Sequence, residues 1–320
     1  MLAPFQLIAS TLLLTYGASV HAWGESGHEV VGYVAQAFLG PETLSFIQDT
    51  LDPSYRGQLG RAGNWADTVK SKKEWAWTRP LHYINAHDDP LNGMCSVSDS
   101  RDCEDHCILT ALTNYTSRIA DPTLSVSERN IALKFLIHFI GDVGQPLHIE
   151  EYQRGGNEIK TRFDGANTNL HAVWDSSIPE KTIKLSHSNS ITTYASDLID
   201  RIKIGSYSSE AESWINCTNP TLPQGRDIEF KEPPQLLLSE PHRGLPLLAS
   251  ASTTDLECPL EWAKDSNTYM CSTVLSGYTA SNLGTAYYQK NAPIVDLQIA
   301  KSGYRLAAWL NSIFEGSLLH

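Results

Sequence analysis

The chain has 320 residues, 41% of them hydrophobic, and a formal net charge of −12 at neutral pH. That balance excludes a protein that grips long duplex DNA with a basic face. It leaves open a nucleic acid held through bound cations, whose charge is absent from a residue count.

Residues 1–22 contain no Lys, Arg, Asp or Glu, and Leu7 to Leu14 form a short apolar run. Val20-His21-Ala22 places small residues where a signal peptidase reads. The segment reads as a secretory signal, although it lacks the usual basic residue, and it is too short for a membrane anchor. No later stretch approaches 18 apolar residues, so the secreted chain is expected to be soluble and free of the membrane. Removal of the signal leaves roughly 300 residues, enough for one large core, and a single domain over 23–320 is expected. The new first residue would be Trp23. Its free α-amine, titrating near pH ~8, is a group that a metal can deprotonate.

The remaining chain reads as mainly α. Apolar residues recur at helical spacing from His28 to Phe38, and Asn130 to Asp142 is a strongly apolar helix that should be buried. Gly155 to Phe163 suggests a short hairpin strand. Ser190 to Ile204 is amphipathic and capped near Ser190. Ala292 to Phe314 forms a closing helix, with Pro293 near its N-terminus and Leu306, Trp309, Leu310 and Ile313 on one face. Between Cys217 and Cys258 lie six prolines and no periodicity, so 217–258 reads as a surface-loop insertion that a bridge between those two cysteines could close. Six cysteines in a secreted chain read as disulfides, but they allow 15 pairings. Asn114-Tyr-Thr and Asn216-Cys-Thr are glycosylation acceptors, whereas Asn219-Pro-Thr is not.

The chemistry gathers around histidines beside carboxylates. His138 and Asp142 share one helical face at i, i+4, and His171 and Asp175 repeat that spacing. His148 follows in Gln-Pro-Leu-His, Asp67 sits in Asn-Trp-Ala-Asp, and His82 in Pro-Leu-His-Tyr. Imidazole with carboxylate is a ligand set suited to zinc. One such pair alone is more often an ordinary surface pair. His138 and Asp142 are harder to dismiss, because they interrupt an apolar helix and a buried carboxylate needs a charged partner.

Taken in order, Trp23-Gly…Gly-His28, Trp-Ala-Asp67-Thr, Pro-Leu-His82-Tyr, His138-Phe-Ile-Gly-Asp142…Gln-Pro-Leu-His148 and Asn-Leu-His171-Ala-Val-Trp-Asp175 resemble the single-strand-specific zinc nucleases secreted by fungi and plants. The resemblance runs from Trp23 to about Arg305 outside the insertion. It implies a helical fold shared with zinc phospholipase C and three zinc ions in a cleft. Asp67, His82, His138 and Asp142 would hold the first, and His148, His171 and Asp175 the second. Trp23, through its amine and carbonyl, would hold the third with His28 and the bridging Asp142. The implied reaction is endonucleolytic hydrolysis of single-stranded DNA and RNA to 5′-phosphates, with 3′-nucleotidase activity, by in-line attack of a zinc-bound hydroxide. Lys70 would neutralise phosphate charge, and Tyr83 would stack on an unpaired base. Asn85 stands where fungal relatives carry Asp. It offers a donor as well as an acceptor, so an altered base preference is expected. The resemblance also implies bridges Cys95–Cys271 and Cys103–Cys107, leaving Cys217–Cys258, and a monomer. Cys103 and Cys107 enclose three residues where the family encloses four. A zinc phospholipase C is the nearest rival, but its last ligand is Glu where this chain has Asp175. A non-catalytic zinc-binding protein is the other, but no ligand position is missing.

Overall fold

A computed structural model describes residues 23–103, 106–217, 257–278 and 282–315. The expected signal segment and nearly all of the 217–258 insertion lie outside the described residues. The described helices are α1 (Glu25–Gln36), α2 (Pro41–Thr50), α3 (Leu59–Ala62), α4 (Trp65–Lys70), α5 (Asp99–Asp102) and α6 (Ile108–Ala120). They continue with α7 (Val126–Val143), α8 (Leu170–Ala172), α9 (Ile178–Ser186), α10 (Ile191–Lys203), α11 (Glu257–Tyr269) and α12 (Ala286–Phe314). Among the described residues the one sheet is an antiparallel hairpin, β1 (Lys160–Phe163) with β2 (Ala166–Asn169), in which Phe163 faces Ala166. The architecture is mainly α, as the sequence suggests.

Helix α7 organises the core. Ser125 caps it reciprocally: Glu128 N donates to Ser125 Oγ, and Ser125 N donates to the Glu128 carboxylate at 3.1 Å. From Ala132 to Val143 every residue is buried. A helix apolar on all sides has no solvent face and must be surrounded; here α1, α4, α6, α11 and α12 pack around it. Phe135 stacks on Tyr115 of α6 at 4.5 Å and on Phe139 at 5.2 Å. Anything polar on this helix is held rigidly, and it carries His138 and Asp142.

The closing helix α12 starts at Ala286, earlier than the proline suggests, and Pro293 lies inside it. Pro293 cannot donate to the carbonyl of Gln289. Both residues are exposed, so water can take that carbonyl and the helix continues. Downstream, Val295 to Ser312 is buried with few breaks, and α12 packs along α1 and α7. The hairpin strand also begins late. Gly155 and Gly156 have φ of +58° and +75°, so this stretch is a turn before β1. Ser190 does cap α10, accepting from Thr193 N at 3.2 Å.

Three disulfides are formed, Cys95–Cys271, Cys103–Cys107 and Cys217–Cys258. The first ties the segment after Tyr83 to the end of α11. The third brings the ends of the insertion to a Cα separation of 5.3 Å. The two acceptor asparagines differ. Asn216 is exposed, whereas Asn114 on α6 is 2% exposed with neither amide atom hydrogen-bonded. A glycan on Asn114 would have to be attached before α6 packs.

Candidate metal centre

His138 and Asp142 project from one face of α7 into the space between α1, α4 and the 3₁₀ segment Lys73–His82. His138 Nδ1 donates to the Gly63 carbonyl at 2.7 Å, which turns Nε2 toward the carboxylates. Nε2 lies 3.3 Å from Asp67 Oδ1 and 3.3 Å from Asp142 Oδ2. His82 Nδ1 is 3.0 Å from Asp142 Oδ2 and 3.6 Å from Asp67 Oδ1. His28, on α1, stacks on His138 at 3.7 Å and reaches the other oxygen of the same carboxylate, Nε2 to Asp142 Oδ1, at 3.2 Å. Asp142 therefore presents one oxygen to His28 and the other to His82 and His138. Gly141 permits this stacking, because a Cβ there would lie 2.8 Å from His28 Nδ1.

The neighbouring group is built by the same device. His148 Nδ1 donates to the His82 carbonyl at 2.7 Å, and His171 Nδ1 donates to the Gly155 carbonyl at 2.6 Å. His171 Nε2 is 3.0 Å from Asp175 Oδ2, and His148 Nε2 is 3.9 Å from Asp175 Oδ1. Asp175 lies in a π-helical turn, Val173–Ser177, an irregularity often found where side chains are aimed for function. Gln145 Nε2 donates to Asp175 Oδ1 while its carbonyl oxygen accepts from Leu147 N at 2.6 Å.

Trp23 is fully buried at the head of α1, and the next amide, Gly24 N, donates to the Asp175 carbonyl at 2.7 Å. The residue expected to begin the mature chain is thus fastened beside the second group. Lys70 pairs with Asp67 one helical turn away, its side chain 17% exposed. Tyr83 follows His82 and is 40% exposed; Asn85 is exposed too.

The donor set fits zinc. Three groups bring their ligand atoms within 4.8 Å of one another: His28, Asp67 and His138; His82, His138 and Asp142; His148, His171 and Asp175. Several of these buried atoms, including Asp142 Oδ1 and His148 Nε2, lack a hydrogen bond of proper geometry. Burial, then neighbouring imidazoles, push His28 well below the usual histidine value, and burial does the same to His82 and His148. Neutral imidazole is the ligand form. Burial followed by the nearby Asp67 charge raises Asp142, whereas Asp67, opposed by burial, is held low by His138 and Lys70. A dry cluster in which His28, His82 and His148 favour the neutral form beside mutually repelling carboxylates is what bound cations would stabilise.

The whole of this region matches a known family. Residues 23–315 match the family described as S1/P1 Nuclease. The chain belongs to the S1/P1 nuclease family. It is similar to Nuclease S1 of Aspergillus oryzae, 38% identical over 305 residues covering 94% of this chain and 93% of the relative. Nuclease P1 of Penicillium citrinum is 36% identical over 91% of this chain and 97% of its own length. Endonuclease 3 of Arabidopsis thaliana is 30% identical over 96% and 94% respectively.

As an S1/P1 nuclease, the chain is a hydrolase of phosphodiester bonds. The structure brings every expected side-chain ligand into one connected cluster. The reading of the sequence missed the atoms that aim them: the carbonyls of Gly63, His82 and Gly155, and the side chain of Gln145. The Gly155-Gly156 pair was a visible turn signal; the carbonyls left none.

Proposed function

We propose that the mature chain, 23–320, is a secreted zinc-dependent endonuclease that cleaves single-stranded DNA and RNA to 5′-phosphates and removes phosphate from 3′-nucleotides. The family match and the connected His/Asp cluster support this reading. Three zincs are proposed, held by Asp67, His82, His138 and Asp142; by His148, His171 and Asp175; and by Trp23, His28 and Asp142. The two differently directed oxygens of Asp142 support its bridging role. No described helix is long and apolar enough to cross a membrane; secretion and a monomeric state are part of the proposal.

Zinc bound there would polarise phosphate oxygens and bring the pKa of a water down to roughly 7. The chain's own residues do the rest. Three backbone carbonyls fix the imidazoles of His138, His148 and His171, so those rings need not reorient when charge develops. Lys70, placed by Asp67, offers an ammonium for a phosphate oxygen. Tyr83 presents an exposed ring on which a base can stack for ~1–3 kcal/mol, and a paired base cannot reach it. Asn85 offers that base a donor and an acceptor.

Metal analysis of the secreted protein, with cleavage assays before and after chelation, tests the reading. Expected are three zincs per chain and chelator-sensitive cleavage of single strands over duplex. Fewer than two zincs, or cleavage indifferent to chelation, overturns it.

A further inference from the structure

Between Asp67 and Asp88 the chain carries the lysines and arginine Lys70, Lys72, Lys73 and Arg79, against the single acid Glu74. The molecule as a whole carries −12, so this segment runs against the prevailing charge. The fold makes it a lobe with both ends in the metal centre. Helix α4 leads outward from Asp67 to Lys70, the chain turns, and the 3₁₀ segment Lys73–His82 leads back to His82. Arg79 closes the lobe, its Nε donating to the Lys70 carbonyl at 3.1 Å. Trp75 fixes it to the core, edge-on to Trp65 at 5.4 Å and against Phe135 of α7 at 6.0 Å. Lys72, Lys73 and Arg79 are exposed. Among the described residues the two ammonium groups and both Nη atoms of Arg79 have no partner. Exposed cations elsewhere are neutralised in place, Arg101 by Asp102 at 2.6 Å and Lys264 by Glu261 at 2.8 Å.

We infer that Lys72, Lys73 and Arg79 form a track for the phosphates of a single strand beyond the one being cleaved, and so set a preference for long strands over short ones. The track deepens the nuclease reading and depends on it. In a molecule of net negative charge, one positive strip leading to the centre gives a polyanion its approach. Phosphate contacts fix register without reading sequence. A lobe pinned at both ends by expected metal ligands holds its cations in fixed positions relative to the scissile phosphate. Lys70 takes part in the cleavage itself; the exposed three lie further out. A dinucleotide has one phosphate and cannot use them. Capping of α4 accounts for Arg79 Nε, but not for its free Nη atoms or for the two unpaired lysines.

The test compares the mature, zinc-loaded chain with a Lys72→Gln/Lys73→Gln double variant and with a triple variant that adds Arg79→Gln. Each is assayed for kcat and KM on long oligothymidylate and on the thymidine dinucleotide, over a series of salt concentrations. On the long strand KM should rise while kcat is kept. The slope of log KM against log salt should fall by about 0.7 for each charge removed, and so by about 2 in the triple variant. Arg79→Lys in place of Arg79→Gln keeps the charge and should recover its share of the slope. The double variant, whose changes are fully exposed, keeps the test decisive if the arginine change disturbs Lys70. Variants with the parent's KM and slope on the long strand overturn the inference. An equal loss on the dinucleotide also overturns it, because the residues would then act by shaping the centre. A parent that cleaves neither substrate overturns the nuclease reading, and the track with it.

Discussion

At the scale of single residues, the candidate centre is defined less by its ligands than by what aims them. Gln145 is the clearest case. Its amide joins Asp175 to the Leu147 amide, so the last carboxylate of the second group cannot rotate without breaking the turn that carries His148. Groups that orient metal ligands are typically worth 10–100-fold in affinity. Gln145→Leu should keep the fold, since the volume is similar, and weaken zinc binding by about that factor, read by competition with a chromophoric chelator. Unchanged affinity with unchanged circular dichroism would reduce Gln145 to packing. The proposed ligands themselves were legible, because a histidine and an aspartate at i, i+4 in an apolar helix announce an unmet charge. Gly63 and Gly155 were not legible as partners of His138 and His171. A carbonyl belongs to every residue, and only the fold chooses which one a ring meets.

At the scale of elements, legibility followed composition. Helix α7 could be read because its apolar run is long and continuous. Helix α6 escaped because its buried face includes Thr113, Asn114 and Thr116, which erase the apolar period; Thr116 Oγ1 accepts from Trp309 Nε1 at 2.9 Å. Helix α11 escaped because it follows the proline-rich insertion directly. The start of α1 carries its own prediction. Trp23 is buried, Gly24 N is bonded to the Asp175 carbonyl, and a Cβ on Gly24 would strike Ser176 Oγ. The head of this helix therefore has no slack. Placing one Gly before Trp23 converts the proposed α-amine ligand into an amide. Activity on single-stranded RNA should drop at least 100-fold, the zinc count should fall by one, and helicity should be retained. Native-rate cleavage by the extended chain would show that the Trp23 amine is not a ligand.

At the scale of the whole molecule, stability away from the metal centre depends on joining α11, α12 and the segment before the insertion. Asp265 of α11 does this, accepting from Lys301 Nζ at 3.0 Å and from Arg305 Nη2 at 2.7 Å, while Arg305 Nε reaches the Trp214 carbonyl. Both cationic side chains are buried, so each depends on the one carboxylate for charge compensation. Burial alone would raise Asp265, but Arg305 and Lys301 outweigh it and hold the carboxyl below its usual value. A group whose folded value is depressed stabilises the fold fully above its unfolded pKa of about 3.9. That contribution disappears as pH falls through the lower folded value. Removing the charge at neutral pH strands two buried cations, a loss of about 3 kcal/mol by the behaviour of buried pairs that lose one partner. Asp265→Asn should therefore melt about 5 °C or more below the parent at pH 7. The gap should narrow as pH falls below the unfolded carboxyl value of about 3.9 and close once pH has passed the lower folded value, where the parent's carboxylate is protonated as well. The comparison cancels any loss of the proposed zinc in acid, which both chains would share. A gap that persists undiminished at the lowest pH would mean that the substituted amide fails through its shape rather than through its missing charge.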